Sequence, residues 1–151
     1  MNVLFANRQC ALSISQGGVE CIVQTFLQWK NVSCDEVSVH FVEKDEICRL
    51  HNDFFDDPTP TDCISFPIDP PKDSQEEYSV LGEVFVCPEV GIEYANSEKK
   101  DPYAEISLYV IHGLLHLLGF DDQKEEERMI MRGEENSAME YLKENKVLLH
   151  E

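Results

Sequence analysis

Positive charge is scarce in this chain. Twelve Lys and Arg stand against thirty Asp and Glu over 151 residues, a formal net charge of −18. Such a surface repels the phosphate backbone of nucleic acid. Any role on nucleic acid must therefore rest on a local site and not on bulk attraction. Part of the acid lies in two runs, DSQEE at 73–77 and DDQKEEE at 121–127, which read as solvated loop and helix face. Long apolar runs are also missing. The most apolar stretch, Ile106 to Phe120, is too short and too interrupted to span a bilayer. The opening MNVLFANRQCALSISQ lacks the basic start and apolar run of a signal peptide, so a cytoplasmic protein is expected. Paired cysteines are absent too. Cys10, Cys21, Cys34, Cys48, Cys63 and Cys87 are spread singly, with no C-x-x-C, which argues against a zinc ribbon or a dithiol redox motif. Without an export signal, a disulfide framework is not expected. The six read as reduced, mostly buried small hydrophobes.

What remains is an ordinary globular composition, 42% hydrophobic, in a chain long enough to bury a core as one domain over 1–151. No internal repeat, low-complexity tract or linker divides it. Residues 2–8 suit a short first strand. Val19, Ile22, Val23, Phe26 and Leu27 recur at helical spacing between Gly18 and Lys30. Glu36 to Glu43 alternates as a strand, with Val37, Val39 and Phe41 on one face. A short helix is expected over Asp45 to Asn52, then a break at DDPTPT. Strands follow at Asp62 to Phe66 and Tyr78 to Cys87, and a helix from Pro88 to about Lys100. Asp101 is a suitable N-cap and Pro102 a suitable first residue for a helix ending at Leu118, with Gly119 in the left-handed C′ position. A last helix from Glu125 to about Leu142 offers Met129, Ile130, Met139 and Leu142 as core contacts. Early strands and late helices predict an α+β fold: one small mixed β-sheet packed by about five helices, with a metal site on a central helix.

The metal site is expected from HGLLHLLGFDD, residues 112–122. Residues four apart on a helix share a face, with Cβ atoms roughly 5–6 Å apart. His112 and His116 are thus a natural two-point ligand for an ion with Zn–N bonds of about 2.0–2.1 Å. Gly119 lets the chain fold back so that a carboxylate beyond it supplies a third donor, leaving a fourth position for water, as in catalytic sites. The alternative is two core histidines bonded to carbonyls. Zinc peptidases with H-E-x-x-H use the glutamate after the first histidine as general base. Gly113 occupies that place here, so that mechanism is closed on this helix. The glycine can instead let another segment or a substrate come close. His40, His51 and His150 have no partner in the sequence pattern and read as structural.

HGLLHLLGFDD resembles the H-G-x-L-H-L-x-G-Y-D-H signature of the YbeY endoribonucleases. PTDCISFP, Pro60 to Pro67, resembles that family's P-T-D-V-L-S-F-P stretch, and LGEVFV, Leu81 to Val86, its L-G-D-I-x-I strand. The blocks occur in family order and spacing, and the likeness runs from about residue 36 to 142. The resemblance implies a single-strand-specific, metal-dependent endoribonuclease acting in 16S ribosomal RNA 3′-end maturation and ribosome quality control. It implies Zn²⁺ as cofactor, or another divalent ion, and ribosomal RNA and the small ribosomal subunit or its proteins as partners. His112 and His116 match the first two zinc-binding histidines. The third ligand position falls on Asp122, where the family usually has histidine. An aspartate reaches a similar bond length but adds a negative charge, which makes the ion a weaker Lewis acid and its bound water less acidic. The family's arginine before P-T-D is replaced by Phe55, which cannot bind phosphate but could stack on a base, or simply pack.

Thr61, Asp62, Ser65 and Phe55 are the expected substrate-cleft residues, the first three with plain turn and strand positions as the alternative. Asp62 is the one candidate general base, or else it caps a local turn. Arg49, Lys99 and Lys100 are the expected cations near the cleft. A different class of function competes: a ribosome-assembly binding factor with weak or lost catalysis, whose acid suits basic ribosomal proteins. A metal-dependent hydrolase of a small substrate is a third reading.

Overall fold

The computed structural model describes residues 1–72 and 77–151; the acidic run expected at 73–77 therefore lies, except for Glu77, outside the described residues. Four strands carry the apolar alternation: β1 (Asn2–Arg8), β2 (Glu36–Val42), β3 (Cys63–Pro67) and β4 (Val80–Val86). Their order in the sheet is β1-β2-β4-β3. β1, β2 and β4 run parallel, and β3 pairs antiparallel with β4 at the edge. Parallel neighbours need crossovers, and helices supply them: α1 (Gln16–Trp29) links β1 to β2, and α2 (Lys44–Phe55) leads from β2 toward β3. α3 (Pro88–Glu98), α4 (Pro102–Leu117) and α5 (Glu125–Glu144) complete the chain. This is the expected α+β domain with a mixed sheet and five helices.

Strand alternation divides the core. Val37, Val39, Phe41, Val84 and Val86 join α1, α4 and α5 in the main cluster. The opposite sheet face carries Val42, Ile64 and Phe85 under Ile47 of α2. On that face an aromatic file runs from His40 through Phe85 and Phe66 to Phe54, with centroid separations of 4.3, 5.7 and 4.7 Å. β2 and β4 fall out of step once, where the two steps from Glu36 to Ser38 are matched by three from Val80 to Glu83. Gly82 sits in this bulge at φ +154°; a Cβ there would lie 2.5 Å from the Phe66 carbonyl and 2.7 Å from Leu117 Cδ2.

The expected core contacts of the last helix need correction. Met129 and Ile130 are 70% and 58% exposed, and Met131 and Ala138 are buried in their place, whereas Leu142 is buried and Met139 partly buried as expected. Three apolar residues in succession leave the helix phase open; packing of α5 on α4 selects Met131. The cysteines are all free, but only Cys34 and Cys87 are buried, and Cys10 and Cys21 are exposed. Among the described residues, no helix is long and apolar enough to cross a membrane.

Candidate metal centre

α4 begins as its sequence requires. Asp101 accepts a hydrogen bond from the Tyr103 N–H at 3.0 Å, and Pro102 fills the first helical position. The helix ends at Gly119, φ +100°, where the Gly119 N–H donates to the His116 carbonyl at 3.0 Å and the Phe120 N–H to the Leu115 carbonyl at 3.1 Å. This pair of bonds is a Schellman turn. It sends the chain back over the last turn of α4. Asp121 accepts from the Asp122 N–H at 2.8 Å, and Arg128 donates to the Gln123 carbonyl at 2.9 Å. Asp122 is thereby held over the two histidines.

The three donors form a compact triangle. His112 Nε2 and His116 Nε2 are 3.1 Å apart, and Asp122 Oδ2 lies 3.4 and 3.6 Å from them. A tetrahedral ion with bonds of about 2.0–2.1 Å separates its ligands by about 3.3 Å, so the spacing suits one ion. The donor chemistry agrees. Two imidazoles can share at most one proton across 3.1 Å, whereas a cation engages both nitrogens and the carboxylate together. His112, His116 and Asp122 could hold a metal ion. All three side chains are only partly exposed, at 22%, 25% and 38%, which leaves one side of the triangle open to the cleft.

A support residue escaped the sequence reading. Glu135 of α5 places Oε2 3.4 Å from His112 Nδ1. A carboxylate there selects the tautomer with a free Nε2 lone pair and orients the ring. Burial works against a charge on His112, but the hydrogen bond and charge of Glu135, with Asp62 and Asp122, outweigh it and raise its pKa. One signal was legible: Met131, Glu135, Ala138 and Leu142 follow a 4-3-4 spacing, so Glu135 is an acid on an apolar stripe.

Gly113 has a structural reason. A Cβ on it would stand 2.4 Å from Val84 Cγ1 and 3.0 Å from Cys63 Sγ. The segment that the glycine admits is the sheet itself. Ser65 of β3 then donates to the Gly113 carbonyl at 3.1 Å, tying the edge strand to α4. Beside it, burial and then Asp62 push the Cys63 thiol pKa up.

The residues expected in the cleft share one cavity. A cavity of about 450 Å³ is lined by Phe55, Thr61, Asp62, Ser65, His112, His116 and Asp122, together with His51. His51 was expected to be merely structural; its Nδ1 lies 2.7 Å from the Thr59 carbonyl, and its ring faces Phe55 at 5.8 Å. Phe55 is 57% exposed. Asp62 lines this cavity and a second one of about 210 Å³ on the α5 side. The expected cations are misplaced: Arg49, Lys99 and Lys100 line neither cavity, while Arg128 and Arg132 line the second. His40, on β2, lies in the aromatic file, and His150 is at the exposed end of the chain.

Fold and site together define a small α+β domain with a histidine–carboxylate triangle able to hold a metal ion in a polar cleft. The family is specific. Residues 5–143 match the family model described as Endoribonuclease YbeY. The chain is 49% identical over 138 residues to the endoribonuclease YbeY of Protochlamydia amoebophila, covering 91% of each protein. It is 41% identical over 152 residues to that of Chlamydia abortus, covering 99% of this chain and 96% of the other. The chain belongs to the YbeY family. The solution structure of TM1509 from Thermotoga maritima shares the fold, with a TM-score of 0.60 at 24% identity over 97% of this chain and 95% of that one.

Proposed function

We propose that this protein is a metal-dependent endoribonuclease of single-stranded ribosomal RNA, acting in 16S 3′-end maturation and ribosome quality control in the cytoplasm. The observation that carries the reading is the donor triangle of His112, His116 and Asp122 at the wall of the larger cleft. Zn²⁺ suits two imidazoles and a carboxylate, and another divalent ion is compatible with the oxygen donor. When bound, the ion supplies Lewis acidity toward a phosphate oxygen or water.

The remaining work falls to the protein. Glu135 holds the His112 ring with Nε2 turned to the ion. Asp62 is the carboxylate between the two cavities and serves as proton acceptor. Thr61 offers a hydroxyl at the cleft wall, where it donates to Asp62 at 3.4 Å. Ser65 has committed its proton to Gly113, so its oxygen is left as an acceptor. Phe55 presents an exposed ring on which an unpaired base stacks, a contact indifferent to sequence. The acidic exterior suits basic proteins of the small subunit as partners.

The test is elemental analysis of untagged wild type, His116→Ala and Asp122→Ala, with folding checked by circular dichroism. About one ion per wild-type chain is expected, lost in both variants together with cleavage of single-stranded RNA. No ion in the wild type after zinc is added back would overturn the metalloenzyme and leave a binding factor. An ion that survives Asp122→Ala would overturn Asp122 as third donor.

A further inference from the structure

The large negative charge poses a question that the donor triangle leaves open: what holds the RNA strand? Among the described residues, the larger cavity has no Lys or Arg in its wall. The second cavity, about 210 Å³, shares Asp62, His112 and Asp122 with the first, so the two meet at the metal triangle. Its far wall is α5, and there Arg128 and Arg132 project one turn apart. Residues at i and i+4 share a helix face, with Cβ atoms about 5–6 Å apart, comparable to the step between successive phosphates of an extended strand. Both arginines are exposed.

Their partners differ. Arg128 uses Nη1 on the carbonyls of Gln123 and Asp122, and the rest of its fork remains available. Among the described residues the Lys and Arg ion pairs use Arg8, Lys30, Lys44 and Lys72; Arg132 is in none of them. Its neighbour Glu135 is turned to His112. An unpaired guanidinium beside a site for phosphodiester chemistry has a planar fork suited to phosphate oxygens.

We infer that Arg128 and Arg132 form a phosphate-binding subsite for the RNA strand on the α5 side of the metal triangle. The inference rests on the endoribonuclease reading. The strand then crosses the site from the Phe55 wall, where a base stacks, to the α5 wall, where backbone phosphates meet the arginines. Contacts of this kind position the strand without reading its sequence.

The experiment measures binding, not turnover. Zinc-loaded protein is titrated into a labelled single-stranded oligoribonucleotide with phosphorothioate linkages, which keep the charge and slow cleavage, and anisotropy is followed at several salt concentrations. Arg132→Ala is the main variant, because Arg128 also supports the loop that carries Asp122. Arg49→Ala is the control, since it removes the same charge from α2 outside both cavities. Arg132→Ala is expected to weaken binding about fivefold or more beyond the control, equally for purine-rich and pyrimidine-rich probes. The salt slope should fall by about 0.7 for each lost phosphate contact on a single strand, and Arg132→Lys should restore most of it. An Arg132→Ala variant no different from Arg49→Ala, in a wild type that binds and cleaves RNA, overturns the subsite alone. A zinc-loaded wild type that neither binds nor cleaves single-stranded RNA overturns the endoribonuclease reading beneath it.

Discussion

Gly113→Ala adds one methyl group at the tightest contact between α4 and the sheet. Its Cβ would fall 2.4 Å from Val84 Cγ1, 3.1 Å from Val84 Cγ2 and 3.0 Å from Cys63 Sγ. Val84 is fully buried, and its strand is hydrogen-bonded on both sides, to β2 and to β3. It cannot retreat, so α4 must lift. Overpacking of this kind costs about 1–3 kcal/mol, and a contact so short belongs at the upper end. Alanine returns up to about 1 kcal/mol of helix propensity. The net loss expected is about 2 kcal/mol, a fall in Tm of about 4–8 °C for a chain of this size. Urea unfolding at unchanged m-value, with the thermal midpoint, measures it. A double-mutant cycle with Val84→Ala should show a coupling of about 1 kcal/mol or more, because shortening Val84 removes the clash. If Gly113→Ala is as stable as the wild type or more so, as helix propensity alone dictates, the close approach does not explain the glycine.

Two further outcomes follow from the site. Glu135→Gln keeps the shape but removes the carboxylate charge beside His112; metal affinity measured by chelator competition should fall about 10- to 100-fold, and unchanged affinity would show that the ring is oriented by other contacts. Phe55→Ala should weaken binding of single-stranded RNA by about 1–3 kcal/mol if the ring stacks on a base, read by anisotropy, while leaving stability nearly untouched because the side chain is exposed; a loss of stability without loss of binding would make Phe55 a packing residue.

The readable parts of this molecule were those governed by local rules. The strand alternation of β2, the Asp101–Pro102 start of α4 and the Gly119 stop are all short-range, and each stands where its residues require. The donor triangle was readable for the same reason: two helical steps and a tight turn bring His112, His116 and Asp122 together without reference to the rest of the chain. Glu135, Arg128 and Arg132 were not. They enter the site through the angle at which α5 crosses α4, and the run Met129, Ile130 and Met131 left the face of α5 undetermined. Phe55 is intermediate: its place beside the P-T-D stretch was readable, but its exposure depends on how α2 ends, with Phe54 on Phe66 of β3 and Phe55 turned outward.

The order of the chain has a consequence for biosynthesis. All four strands have been synthesised once residue 86 is made, but the two histidines come at 112 and 116, the third donor at 122 and Glu135 in α5. Lys30 of the first helix pairs with Glu134, and Trp29 stacks on Tyr141 at 5.3 Å, so the last helix docks on the first one made. Every strand of the sheet is therefore synthesised before any metal donor, while the helices that close its main core arrive together with those donors.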